Sequence, residues 1–189
     1  MSGGLTAGEA APRSLGDAPA VAGRIRHHCS VILRRAAASD VDSLVDIQQA
    51  GAVLALSHIF PQNLHPFPRD VIVRRWLTEI ADPGTQVYVF TDDGERVTGF
   101  AATRSEELLH FGTAPATWGS GLASSLHDAV LATLAEAGVG PLIRLHVFDA
   151  NSRARRFYEK HGWLATGRRS RSSFPPYPEL LEYHRQLFQ

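Results

Sequence analysis

Phe111-Gly-Thr-Ala-Pro-Ala-Thr-Trp-Gly-Ser-Gly-Leu-Ala123 is the stretch whose reading decides the fold. An apolar run ends at Pro115, a turn of small residues follows at Gly119-Ser120-Gly121, and a helical pattern starts at once. Leu122, Leu126, Ala129, Val130, Thr133 and Leu134 recur at the spacing of one helix face. A strand that breaks into a glycine turn and then a helix leaves backbone N–H groups free at the positive end of a helix dipole. That arrangement suits a phosphate-bearing ligand. Taken alone, the pattern is equally that of a tight strand–helix connection with no ligand. A Walker loop is excluded, because Gly121 is followed by Leu122 and not by Lys-Ser/Thr. The dinucleotide fingerprint fits badly, because this turn lies mid-chain and not after the first strand.

A second stretch, Asn151-Ser-Arg-Ala-Arg-Arg-Phe-Tyr-Glu-Lys-His-Gly-Trp163, reads as a short helix. Asn151 is a good N-cap and Gly162 a good residue just past the C-terminus. Ala154, Phe157 and Tyr158 lie on one face between them. A strand, Leu142 to Val147, separates the two stretches.

In this order the two stretches resemble the GNAT superfamily, the Gcn5-related N-acetyltransferases. The family's acyl-CoA motif, Arg/Gln-x-x-Gly-x-Gly/Ala, is matched by Trp118-Gly-Ser-Gly121-Leu-Ala123 after Thr113-Ala-Pro115. Its later Asn-x-x-Ala-x-x-Phe-Tyr-x-x-x-Gly-Phe motif is matched by Asn151, Ala154, Phe157, Tyr158, Gly162 and Trp163. The resemblance runs from about residue 31 to 188. It departs at Trp118, where Arg or Gln is usual. An indole offers one N–H and cannot grip phosphate as a guanidinium does.

The resemblance implies an α/β fold: a mixed, mostly antiparallel sheet of about seven strands with helices on both faces, in the order β-α-α-β-β-β-α-β-α-β-β. The residues read in the same order. Val31–Arg35 is a strand, and a helix starts at Ser39, with a serine cap and Asp42 three residues on. Gly51 and the proline-rich Phe60–Pro68 stretch mark a break and a loop. A second helix runs from about Arg69 to Ala81. Strands at Gln86–Thr91 and Val97–Ser105 flank an Asp92–Glu95 hairpin turn, and Leu108–Thr113 leads into the glycine turn. Leu164–Ser173 and Leu180–Leu187 close the chain. Residues 29–189 are expected to form one domain. Residues 1–28 are rich in Gly, Ala and Pro, lack apolar periodicity and a signal-peptide core, and read as a disordered tail.

Composition narrows the partners. The chain has 189 residues, 44% hydrophobic and 20% charged, with a formal net charge of zero, so no general attraction to nucleic acid or anionic membrane follows. The single cysteine, Cys29, excludes an internal disulfide and points to a reducing compartment, the cytoplasm. The nine histidines form no usual ligand set with cysteine or carboxylate, and no metal is expected. The oligomeric state, a homodimer included, is not set by the sequence.

The resemblance implies an acyl-CoA-dependent N-acyltransferase, most simply one that moves an acetyl group from acetyl-CoA to the primary amine of a small molecule or peptide by direct attack. The pyrophosphate then falls to Trp118, Gly119, Ser120, Gly121, Leu122, Ala123 and Ser124. The pantetheine arm follows the strand edge at Phe111 to Thr113 and meets Asn151. Tyr158 lies where CoA binds and is the general acid, a phenol protonated at neutral pH that can supply a proton to the departing thiolate. Glu107 is the general base by its distance from Trp118, directly or through a water. His110 is the alternative, as an imidazole that titrates nearer working pH. His58, Phe60, Phe67 and Trp76 are expected to wall the acceptor pocket, with His65 beside them. Arg168, Arg169 and Arg171 make a local basic run, read either as a solvated strand face or as a contact for an acidic acceptor. Trp118 keeps a second reading open, a non-catalytic acyl-CoA-binding module on the same fold.

Overall fold

The structure is a computed structural model that describes residues 32–187. The expected tail, Cys29 and Val31 lie outside the described residues. Seven strands and four α-helices follow in the expected order: β1 (Ile32–Arg35), α1 (Val41–Ala55), α2 (Arg69–Ala81), β2 (Thr85–Thr91), β3 (Val97–Arg104), β4 (Glu107–Thr113), α3 (Leu122–Glu136), β5 (Leu142–Phe148), α4 (Ser152–Lys160), β6 (Leu164–Arg171) and β7 (Glu179–Gln186). They form one sheet, β1-β2-β3-β4-β5-β7-β6, antiparallel throughout except for the β4–β5 pair. Among the described residues no helix is long and apolar enough to cross a membrane.

Each face of the sheet carries its own core, because the buried strand residues alternate in side. Val41, Leu44 and Val45 of α1 and Ile72 and Trp76 of α2 pack on Val87, Val89, Phe100 and Ala102. On the other face Leu126, Val130 and Leu134 of α3 pack on Phe90, Leu108, Ile143, Leu145 and Tyr183. In β5 the odd-numbered Ile143, Leu145 and Val147 go to the α3 core, which leaves Arg144 and His146 on the opposite, open face.

Two helix boundaries differ from the sequence reading. Ser39 does not cap α1. A 3₁₀ turn, Ala38–Asp40, precedes the helix, and the Asp40 carboxylate accepts from the Ala37 N–H at 2.8 Å. That carboxylate is also gripped by both terminal nitrogens of Arg34 at 2.8 Å, so it is already fixed beside the turn. Gly51 does not break α1, which runs on to Ala55. A helical glycine costs only about 1 kcal/mol, and here the bare Cα faces Trp118, whose ring carbon lies 3.7 Å from where a Cβ would stand.

The feature that makes a site is in the middle of the sheet. β4 and β5 pair only at Glu107↔Arg144 and Leu108↔Leu145. Both strands continue, β4 to Thr113 and β5 to Phe148, without pairing, so the sheet opens into a V. At the point of divergence β4 also has a bulge. Ala102 pairs with His110 but Thr103 with Leu108, which leaves Leu109 extra. A bulge turns two successive side chains toward one face. Accordingly Leu109 packs on the α1–α2 core and His110 on Trp76, whereas Leu108 and Phe111 belong to the α3 core.

Candidate active site

At the mouth of the V, the glycine turn leads straight into α3. Gly119 and Gly121 have φ of +82° and +88°, a region open to glycine and strained for other residues. Gly121 is the N-cap of α3. Ser120 is used inside the turn: its hydroxyl donates to the Thr117 carbonyl at 2.7 Å and accepts from the Leu122 N–H at 3.2 Å. The N–H groups of Gly119, Gly121 and Ala123 have no acceptor among the described residues. Of the seven residues expected at the pyrophosphate, then, three alternating ones keep an available amide, while Ser120 and Leu122 hold the turn in shape and the Trp118 and Ser124 N–H groups bond to the Pro115 and Gly121 carbonyls. The first turns of α3 and α4 contain no acid.

Trp118 is fixed by its neighbours. Its indole N–H donates to the Thr113 carbonyl at 3.1 Å, and the Arg153 guanidinium lies 3.7 Å above the ring centroid. Asn151 caps α4, its Oδ1 accepting from the Ala154 N–H at 3.1 Å. The side-chain amide N–H₂ of Asn151 makes no bond among the described residues, so capping leaves it free for a ligand.

Aromatic rings line the V on the α3–α4 side. Phe111 and Phe157 stack at 5.9 Å and 16°, and His127 meets both edge-on. His127 is fully buried. Its Nε2 accepts from the Trp163 indole at 2.9 Å and its Nδ1 bonds to Asp128 at 3.1 Å. Burial holds it neutral and lowers its pKa to about 4. Tyr158 packs on Phe157 and Trp163. Its hydroxyl bonds to no described residue, and burial pushes the phenol well above its ordinary pKa. The phenol therefore keeps its proton at neutral pH, and its hydroxyl has no acceptor among the described residues.

On the α1–α2 side of the V two carboxylate–imidazole pairs stand near the bulge. Glu107 Oε1 meets His146 Nδ1 at 3.0 Å, with Arg144 Nε at 3.8 Å from its other oxygen. His146 Nε2 in turn lies 3.8 Å from Glu182 on β7. Beneath α2, His110 Nε2 meets Glu79 Oε1 at 3.1 Å. Burial would raise Glu79, but the bond to His110 and the charges of His110, Arg75 and Arg104 bring its pKa below the usual glutamate value. An open groove of about 330 Å³, lined in part by Arg144, Arg168, Glu182 and His184, runs along the exposed face of β5–β7–β6.

The residues expected at the acceptor pocket divide. The α1–α2 loop crosses to the end of β5, where His58 Nε2 bonds the Ala150 carbonyl at 3.0 Å and Phe60 meets Phe148 edge-on at 5.3 Å. Phe67 is partly buried against the α1–α2 core, its N–H held by Gln62 at 3.0 Å. Trp76 is a correction. It is 0% exposed, its indole donates to Gln48 at 2.7 Å, and it presents no surface to an acceptor. His110, stacked edge-on at 4.9 Å, covers it. The basic run is divided as well: Arg169 is held by Asp149 and Glu179, whereas Arg168 reaches toward Glu182.

Sequence reasoning passed over His146, Glu182 and Arg153. The first two had a signal, since polar residues at every second position of β5 and β7 mark an open sheet face. Arg153 had none, because its stacking on a residue 35 positions earlier is a tertiary contact.

The acetyltransferase (GNAT) family profile matches residues 52–163. No curated protein matches the chain significantly in sequence. Among solved structures, PaiA N-acetyltransferase from Thermoplasma acidophilum in complex with coenzyme A is 16% identical, with 81% of this chain and 98% of that one covered and a TM-score of 0.65. Spermidine N-acetyltransferase from Vibrio cholerae in complex with CoA and spermine is 17% identical, covering 83% and 95%, at a TM-score of 0.63. The ribosomal-protein-S18-alanine N-acetyltransferase from Escherichia coli is 17% identical, covering 85% and 96%, at 0.64. At these identities the likeness is one of fold, but the family profile spans more than half of the sequence, and the chain belongs to the GNAT acetyltransferase family.

Proposed function

We propose that the protein transfers an acetyl group from acetyl-CoA to the primary amine of a small molecule, by direct attack with both reactants bound. The observation that carries this reading is the released edge of β4, Leu109 to Thr113, which leads into the three free amides of the glycine turn. The free amides suit the pyrophosphate, and the unpaired β4 edge suits the amide groups of the pantetheine arm. Holding both reactants in line supplies much of the acceleration, since effective molarities reach about 10⁵ M or more.

The amine nitrogen attacks the thioester carbon and the C–S bond breaks. Glu107, oriented by His146, takes the proton that the attacking nitrogen loses, directly or through a water. Tyr158 gives its phenolic proton to the departing sulfur. The acceptor enters from the α1–α2 side, over the open face that holds Glu107 and His146 and beneath the loop with His58 and Phe60. The solved relatives that hold spermine beside CoA and that acetylate ribosomal-protein-S18-alanine support an amine acceptor as a class. A screen of amines, amino acids, aminoglycosides and peptides for acetyl-CoA-dependent thiol release tests the reading. Turnover with one acceptor class supports it, and release no faster than buffer with every class contradicts it.

A further inference from the structure

We propose that Arg153, reaching across from α4, supplies the cation for the CoA pyrophosphate that Trp118 cannot, with Trp118 serving as the platform that aims it. The inference rests on the acyl-CoA reading above and adds a residue to it.

Three observations converge. The guanidinium carbon of Arg153 lies 3.7 Å from the Trp118 ring centroid, a face-on cation–π distance, and Trp118 is the residue that enters the glycine turn. The platform is itself locked by the indole bond to the Thr113 carbonyl and by α1 at Gly51. A guanidinium stacked by its face keeps its N–H edge free, and that edge is what grips phosphate oxygens.

The electrostatics point the same way. Arg153 is exposed and makes no ion pair among the described residues, unlike its neighbour Arg155, which Asp149 holds at 2.9 Å. It sits in the first turn of α4, where the helix dipole disfavours a cation. Trp118, on which it stacks, enters the turn that starts α3, which is also without an acid and has three amides unsatisfied among the described residues. Two positive helix ends and an unpaired guanidinium around one turn are relieved by a dianionic group placed between them.

Titration calorimetry with CoA, 3′-dephospho-CoA and pantetheine tests the assignment on the full chain. Arg153→Met is expected to weaken CoA and dephospho-CoA by about 10- to 100-fold, the usual effect of losing a charge-assisted bond. Pantetheine, which lacks the pyrophosphate, should bind the variant as it binds the parent. Adding Trp118→Arg to Arg153→Met should recover most of the loss. Arg153→Lys, which keeps charge without the planar edge, should fall between. An unchanged melting temperature shows that the variants are folded. Equal CoA affinity in parent and Arg153→Met overturns the proposal, as does a tighter-binding variant, which would make the stack a gate. An effect that vanishes with dephospho-CoA overturns it too, by moving the contact to the 3′-phosphate. If the parent binds no CoA at all, the acyl-CoA reading fails first, and the two failures are thereby distinct.

Discussion

Tyr158, partly buried, and His127, fully buried, both belong to the aromatic cluster beneath the V, and desolvation acts on them in opposite senses. It disfavours the charged form of each, so the phenol keeps its proton and the imidazole goes without one. For Tyr158 that suits a proton donor to sulfur. Tyr158→Phe removes only a hydroxyl that bonds to no described residue. It should leave CoA affinity within a few-fold while slowing turnover about 10²-fold. Calorimetry and thiol release on the same preparation check both. Loss of binding with unchanged turnover per bound cofactor would make Tyr158 a binding residue instead. For His127 the consequence is stability. Its folded pKa of about 4 lies below the ordinary 6.5, so its contribution is complete above about pH 6.5 and is lost as pH falls toward 4. The full loss is on the order of 3 kcal/mol. Thermal melts from pH 7 to 4.5 should show a falling midpoint in the parent. His127→Gln should start less stable but show a flatter slope in that window.

At the level of elements the glycine turn is the sharpest case. Gly121 caps α3 at φ +88°, so any side chain there meets backbone strain even though the space around it is open. Asn tolerates this region better than most residues, and Asp is its charged near-isostere. Gly121→Asn and Gly121→Asp should therefore lose similar stability, while only Asp places a negative charge at the amides proposed for the pyrophosphate. Aspartate is expected to weaken CoA at least 10-fold more than asparagine does, and equal affinities would remove phosphate from this turn.

The turn, the order of elements and the second motif helix were legible in the sequence, because Gly, Asn and apolar spacing act locally. The β4 bulge was not, since an extra residue shows only once a partner strand is in register. The divergence of β4 from β5 was equally silent: both strands remain apolar past the split because each keeps packing on α3. Trp76 was misplaced for a related reason, as an aromatic on a helix after a loop reads alike as pocket wall or core until its indole is seen bonded to Gln48.

Over the whole molecule, the sheet is one body with two cores, and the site lies where the strand pairing between its halves stops. β1–β4 are backed by α1 and α2, the α3 core spans the junction on the other face, and only two residue pairs join β4 to β5. What crosses the V beyond them is side chains: Phe111 on Phe157, Trp118 under Arg153, and His58 and Phe60 at the end of β5. A cofactor that fills the V would join the halves with main-chain bonds that the protein itself leaves unmade. The most direct test is calorimetric titration of the full chain with acetyl-CoA. One site per chain with a dissociation constant in the micromolar range is the predicted result, and no heat of binding at millimolar acetyl-CoA would contradict the account.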